Sequence, residues 1–375
     1  MSAELPPAPP MRWRDYVLIR GTALATFWSE HLTGKARNLL MVVGRGFDPR
    51  ACIGVQTLLQ AGGDGRRDAV ALEFVEGDSR DSSAHSASIG ANWASLQSAF
   101  ADRGTVSSRT IPLRATDGRR TGSRNAADLF SSVDQIADYT DIVIDISAMP
   151  RAVFFPLIAR LLFLLDTGGC PSRNLHVLTA EDPGLDARIR AEGVDETANF
   201  LHSFEGKFKR EGTGQHRKVW IPLLGEGRLT QFDRIYDHVK PDEVCPVVPS
   251  PSRSPRRGDD IVMEYRDLLF DQLRIDPRNI IYAAEQNPFE VYRQVRRAAL
   301  HYQRVLGILG GCKIALSALS SKLMSLGALL VAYEMKQCLD IGIAHIECQA
   351  YALDSLETTP ELVGLWLAGE SYETS

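Results

Sequence analysis

The chain has 375 residues, 44% apolar and 24% charged, with a net charge of -5 and a pI near 6.0. That composition buries the core of one large or two ordinary domains, and its acidic balance argues against a protein that coats nucleic acid. Six cysteines without C-x-x-C spacing read as reduced thiols rather than a disulfide framework or a zinc site.

The opening MSAELPPAPPMRWRDY lacks the basic-then-apolar order of a signal peptide. Residues 1–12 read as a disordered, Pro-rich arm. The stretch through His31 is either a docking arm or a short strand and helix. Regular alternation begins with the strand LLMVV (39–43), the loop Gly44-Arg45-Gly46-Phe47-Asp48-Pro49-Arg50 and a helix around 50–61. A strand at 68–74, a Ser-rich loop (78–89), a helix at 90–102, a strand at 108–113 and a helix at 124–138 follow. The strand DIVIDI (141–146) runs into Ser147-Ala148-Met149-Pro150-Arg151 and an apolar helix. This βαβα order predicts a parallel sheet with helices on both faces. The apolar run 152–165 is too short to span a bilayer and is interrupted by Pro156 and Arg160. No membrane association is expected, and the expected location is cytoplasmic.

The pattern restarts at KVWIPLLGEGR (218–228), with a helix at 229–239 and the strand VCPVVP (244–249). The segment PSRSPRRGDD (251–260) reads as a loop. A helix at 259–273, the strand NIIYAA (279–284) and a long helix at 288–307 come next. The strand KIALSA then meets Leu319-Ser320-Ser321-Lys322 and a second apolar helix, and LVGLWLAG near the end reads as a last helix. The halves align, with Gly44-Arg45-Gly46 against Gly225-Glu226-Gly227 and Arg151 against Lys322. The expected fold class is therefore α/β: two Rossmann-like lobes with mainly parallel sheets, at residues 13–205 and 206–375.

Each candidate residue has a plain structural reading beside its functional one. Ligands of open α/β sheets lie beyond the carboxyl ends of strands. Gly44 and Gly46 permit close backbone approach, and Arg45 and Arg50 suit an anion. The alternative is a tight turn capped by Asp48 with solvated arginines. Asp145 and Ser147 end a strand of Ile and Val, where a buried carboxylate demands a partner such as Arg151. Ser320, Ser321 and Lys322 open a helix with hydroxyls and a cation, where the dipole favours anions. Glu285 follows a strand and suits a ribose hydroxyl, although Asn287 and Pro288 explain that turn as a helix cap. Arg293, Arg296, Arg297, His301 and Arg304 make a basic helix face, solvated or lining a polyanion groove. His176 and His345 lie in strands and lack metal-spaced partners. Glu181-Asp182 and Glu347-Cys348-Gln349 are weak metal or nuclease patterns, so no metal and no cofactor are expected.

The strand, the turn Ser320-Ser321-Lys322 and the long helix, over residues 312–335, resemble the CARF sensor domains of prokaryotic defence systems. There a Gly/Thr-rich version of the turn stands in place of the serines. The resemblance implies a Rossmann-like lobe that binds a nucleotide second messenger where two lobes meet, supplied here by one chain instead of two. No separate effector domain is visible. One expected function is thus a nucleotide-like anion sensor or adaptor in antiviral defence, with its ligand between two lobes and its output passed to a partner protein. Its ligand would touch Gly44, Arg45, Gly46, Arg50, Ser147, Arg151, Glu285, Ser320, Ser321 and Lys322. The other is a hydrolase of a nucleoside, nucleotide or nucleotide-sugar, with Asp48 or Asp145 as general base. Nucleic acid is the less expected partner.

Overall fold

The computed structural model describes residues 9–76, 86–169, 172–208, 216–353 and 359–372. The chain forms two compact units. An N-terminal lobe comprises Asp15–Glu192 with Ala350–Ser375, and a C-terminal lobe comprises Gly193–Gln349 with Met1–Arg14. The boundary expected at 205/206 therefore moves to 192/193, residues 9–14 group with the C-terminal lobe and residues 359–372 with the N-terminal lobe.

In the N-terminal lobe, β1 (Val17–Arg20) and α1 (Gly21–Thr33) precede β2 (Leu39–Arg45). A 3-10 turn (Pro49–Cys52), α2 (Ile53–Gln60), β3 (Arg67–Val75), α3 (Ser86–Phe100) and β4 (Val106–Pro112) follow. Then come α4 (Gly122–Ala127), β5 (Asp141–Asp145), α5 (Arg151–Thr167) and β6 (Asn174–Glu181). After α6 (Pro183–Arg188), β7 (Ile189–Val194) leads into the C-terminal lobe. That lobe holds β8 (Asn199–Phe200), β9 (Arg217–Leu223), α7 (Leu229–Val239), β10 (Glu243–Val244), β11 (Val247–Pro249) and α8 (Arg257–Glu264). It continues with β12 (Ile281–Ala283), α9 (Pro288–Val305), β13 (Cys312–Ala318), α10 (Lys322–Met335) and β14 (Asp340–His345). The chain returns through β15 (Cys348–Leu353), paired with β7, to β16 (Glu361–Ala368).

The first sheet runs β4-β3-β2-β5-β6-β16-β1, parallel from β4 to β6 and antiparallel beyond. The second runs β12-β11-β9-β13-β14-β8, parallel except for β8, with β10 also on β9. Both lobes thus order their five parallel strands third, second, first, fourth, fifth. β5 and β13 are buried at every position, and β2 at all but its last. Central strands of a parallel sheet covered on both faces read this way as continuous apolar runs. The fold is α/β in both lobes, Rossmann-like, with seven-stranded, mostly parallel sheets flanked by helices.

Several local expectations need correction. LVGLWLAG forms β16 rather than a helix, because it fills the position beside β6 with Gly364 opposite Leu178. A Cβ on Gly364 would lie 2.6 Å from Leu24, so that glycine lets α1 close on the sheet. The helix expected at 124–138 breaks into α4 and a 3-10 turn at Val133–Ile136. There the Gln135 side chain accepts the Ser131 and Ser132 amides at 2.6 and 3.2 Å, recapturing the backbone. The end of the expected loop 251–260 is already helical, because α8 starts at Arg257 and gives way to a π turn at Asp267–Gln272.

Residues 9–12 of the expected arm are held against the fold rather than disordered; 1–8 lie outside the described residues, as do 78–85 of the Ser-rich loop. Trp13 is fully buried, edge-on to Tyr292 with ring centres 5.4 Å apart. Arg12 donates its amide to Glu334 at 2.7 Å. The five described cysteines are free thiols. Among the described residues no helix is long and apolar enough to cross a membrane.

Candidate functional site

In each sheet the strand order reverses between the first and fourth parallel strands, β2 and β5 in one lobe, β9 and β13 in the other. Such a switch point opens a crevice at the carboxyl edge, where open α/β sheets bind ligands. Gly44 sits there in the first lobe: a Cβ on it would lie 2.7 Å from the Ala148 carbonyl oxygen, in the turn after β5. Gly225 repeats the arrangement, with a Cβ 2.5 Å from the Leu319 carbonyl and 3.0 Å from the Ser320 Cα. The two backbones meet in both lobes, and only glycine lets them. Gly225→Ala is expected to cost about 1–3 kcal/mol by overpacking, read as a lower denaturant midpoint with an unchanged m-value.

The structure places the N-terminal candidates unequally. Arg45, the last residue of β2, pairs with Glu73 at 3.1 Å and lies over the Trp93 ring at 4.8 Å. The Gly46 carbonyl accepts from Asn92 at 2.8 Å, which ties the loop to α3. Arg50 is turned inward and only 2% exposed. Its Nε and one terminal nitrogen bind the two Asp48 oxygens at 2.9 and 2.8 Å, and the other binds Asp186 at 2.8 Å. Burial works against its charge, but Asp48 and Asp186 more than offset this and raise its pKa. Asp48 also caps the 3-10 turn through the Arg50 amide at 2.9 Å.

The Ser147 hydroxyl accepts the Ala180 amide at 2.8 Å, and its own amide donates to Asp145 at 2.9 Å. Asp145 is 2% exposed, with one oxygen 2.3 Å from where a Gly54 Cβ would stand, against the first turn of α2. A carboxylate there is favoured by the helix dipole. Arg50, expected as an anion ligand, Ser147, expected as a ligand hydroxyl, and Asp48 and Asp145, expected as general bases, are all held in these internal contacts. Arg151 is half-buried as the first residue of α5.

In the C-terminal lobe the turn after β13 is built in layers. Ser317 braces the sheet, accepting from Trp220 at 2.9 Å and donating to Ala344 at 2.9 Å. Ser320 is buried and donates to the Met324 sulfur at 3.1 Å. Ser321 caps α10, accepting the Met324 amide at 3.3 Å. Lys322 is the first residue of that helix and half-buried. Neither α5 nor α10 carries an acidic residue in its first turn, and both begin on a cation. That is unfavourable against the dipole unless an anion compensates it.

Glu285 is buried beyond β12 and paired with Arg257. Arg257 also binds Glu226 at 2.8 Å, so it bridges the turns after β9 and β12. Burial opposes the Arg257 charge, but Glu226 and Glu285 hold its pKa above the usual value. The Gly227 amide donates to the Glu264 carboxylate at 2.9 Å. Sequence reading misses Arg257 and Glu264, since the helix expected at 259–273 starts after the first; RRGDD ahead of an amphipathic helix is the available signal. On α9, Arg296 is drawn inside to Glu334 at 2.7 Å, while Arg297, His301 and Arg304 remain exposed. His345 lies 3.6 Å from Glu347.

No protein-family model and no curated protein matches this chain. Among solved structures it is similar to an uncharacterised protein from Mycobacterium paratuberculosis, at 11% identity and a TM-score of 0.21. That likeness covers 83% of this chain and 78% of the other, and carries no argument about function.

Proposed function

We propose that this protein is a sensor of a nucleotide-like anion, with the switch-point turns as its receptor. One observation carries the reading: both lobes place a half-buried cation, Arg151 or Lys322, at the first position of the helix that follows the fourth parallel strand. Within each lobe, a glycine-tight backbone contact underlies the turn, Gly44 against Ala148 in one and Gly225 against Leu319 in the other. The hydroxyls and cation at the head of α10 suit phosphate oxygens. Of the two carboxylates paired with Arg257, Glu226 beyond β9 is 47% exposed and suits the hydroxyls or base edge of a nucleoside, with Glu285 buried beneath it. Output passes to a partner protein.

Calorimetry of the full chain with a panel of linear and cyclic nucleotides tests this. A binder is expected, with affinity weakened at least about 10-fold by Lys322→Ala, the loss of one charge-assisted hydrogen bond. Absence of heat at millimolar nucleotide, with the protein folded, removes the proposal.

A further inference from the structure

Asp141, the first residue of β5, is fully buried at the amino edge of the N-terminal lobe's sheet, opposite the switch point. Its carboxylate is crowded. Oδ1 lies 2.7 Å from His31 Nε2, 3.3 Å from His176 Nε2 and 2.9 Å from Asn174 Nδ2. Oδ2 lies 2.7 Å from Thr140 Oγ1 and 3.3 Å from Arg37. Five nitrogen and oxygen groups contend for about four lone-pair directions on a carboxylate.

Three of these contacts have fixed roles. The Asn174 carbonyl accepts the Glu370 amide at 2.9 Å, so its NH2 end must face Asp141. Thr140 and Arg37 occupy Oδ2, and the Arg37 charge is shared with Glu370 at 2.9 Å. One lone-pair direction on Oδ1 is left facing two imidazole nitrogens. A single cation there, bound by both rings, replaces two competing donors with one partner. The carboxylate then has four partners for four directions.

The spacing suits this. Histidine nitrogen and carboxylate oxygen sit about 2.0–2.2 Å from zinc, which leaves neighbouring ligand atoms roughly 3 Å apart. The ligand atoms of His31, Asp141 and His176 all lie within 4.8 Å of one another. Thr140 and Arg37 on the distal oxygen are the kind of supporting hydrogen bonds that orient a ligating carboxylate. Phe27 stacks on His31 at 5.2 Å, while Trp28 and Trp366 hold the His176 ring at 4.8 and 4.9 Å. A cavity of about 10 Å³, lined by His176, Leu24, Phe27, Trp28 and Trp366, adjoins the cluster.

We propose that His31, Asp141 and His176 bind one divalent cation of the zinc class. The ion fastens α1 to β5 and β6. His176 has no metal-spaced partner in the sequence, because His31 and Asp141 stand 145 and 35 residues before it and no spacing rule spans such distances.

The full-length protein, stripped with chelator and dialysed, is titrated with Co2+ and then with Zn2+. The expected result is a ligand-field absorption saturating at one equivalent, its loss on adding Zn2+, and a Zn2+-dependent rise in unfolding midpoint. His31→Gln should weaken uptake at least about 100-fold, more than the loss of a supporting contact costs. His176→Gln should do the same; if that core variant does not fold, His31→Gln decides alone. Folded wild-type protein that takes up no Co2+, or uptake unchanged in His31→Gln, overturns the proposal.

Discussion

Asp48→Ala is expected to destabilise the N-terminal lobe by about 3–5 kcal/mol, because it leaves the buried Arg50 guanidinium without its two-oxygen partner. For a lobe of this size that shifts the midpoint of thermal unfolding down by roughly 10 °C. Asp186 remains, but its side chain is 46% exposed and it reaches only one guanidinium nitrogen, so it cannot replace Asp48. Asp48→Asn separates the two jobs. Asn is as good a cap as Asp and keeps the bond to the Arg50 amide, a contribution of about 1 kcal/mol. It loses the charge, so the larger part of the destabilisation should persist. The outcome also bears on chemistry. A general base would lose turnover in Asp48→Asn with stability intact, whereas the ion pair predicts lost stability with ligand binding retained near the folded baseline. Scanning calorimetry and nucleotide titration of the same two variants distinguish these.

What could be read from the chain, and what could not, follows from the range of the forces. β2, β5 and β13 are legible because buried parallel strands are runs of Leu, Ile and Val. α7 falls at 229–239 as expected, since its alternation of apolar and charged residues is local. The two basic turns are also local, which is why Arg151 and Lys322 stand at equivalent positions of the two lobes. β16 was misread because LVGLWLA is buried along most of its length and shows neither period clearly. Its identity as a strand comes from β6, which pairs with it from some 180 positions earlier in the chain. Side-chain partners fail for the same reason. Arg50 looks like a ligand residue until Asp186, 136 residues on, closes over it. Arg257 has no visible role until Glu285 and Glu226 converge on it. Residues that carry a fold's turn chemistry announce themselves locally, while residues that carry its buried charge do not.

Glu334→Ala should be similarly costly in the C-terminal lobe, about 3–5 kcal/mol, and its consequences should reach the N-terminal arm. One carboxylate oxygen accepts the Tyr292 hydroxyl at 2.6 Å and the Arg12 amide at 2.7 Å; the other accepts Arg296 Nε at 2.7 Å. The side chains of Glu334 and Arg296 are 7% and 9% exposed. Burial and the bond to Glu334 both push the Tyr292 phenol well above its usual pKa, so it stays a donor to that carboxylate at any working pH. Removing Glu334 strands a buried cation, a buried hydroxyl and the amide that pins residues 9–14. The arm should therefore loosen along with the loss of stability, seen as faster amide exchange at Arg12 and Trp13 and as cleavage by trypsin after Arg12 or Arg14. The double variant Glu334→Met with Arg296→Met separates the causes. If the penalty is the unpaired charge, two apolar side chains of similar length recover most of the stability. Arm protection should recover less, because the Arg12 amide still lacks its acceptor. Full recovery of both would mean that the arm's other contacts, Trp13 against Tyr292 and Arg293 with the Arg14 carbonyl, hold it, and that the Glu334 node is not what fastens it.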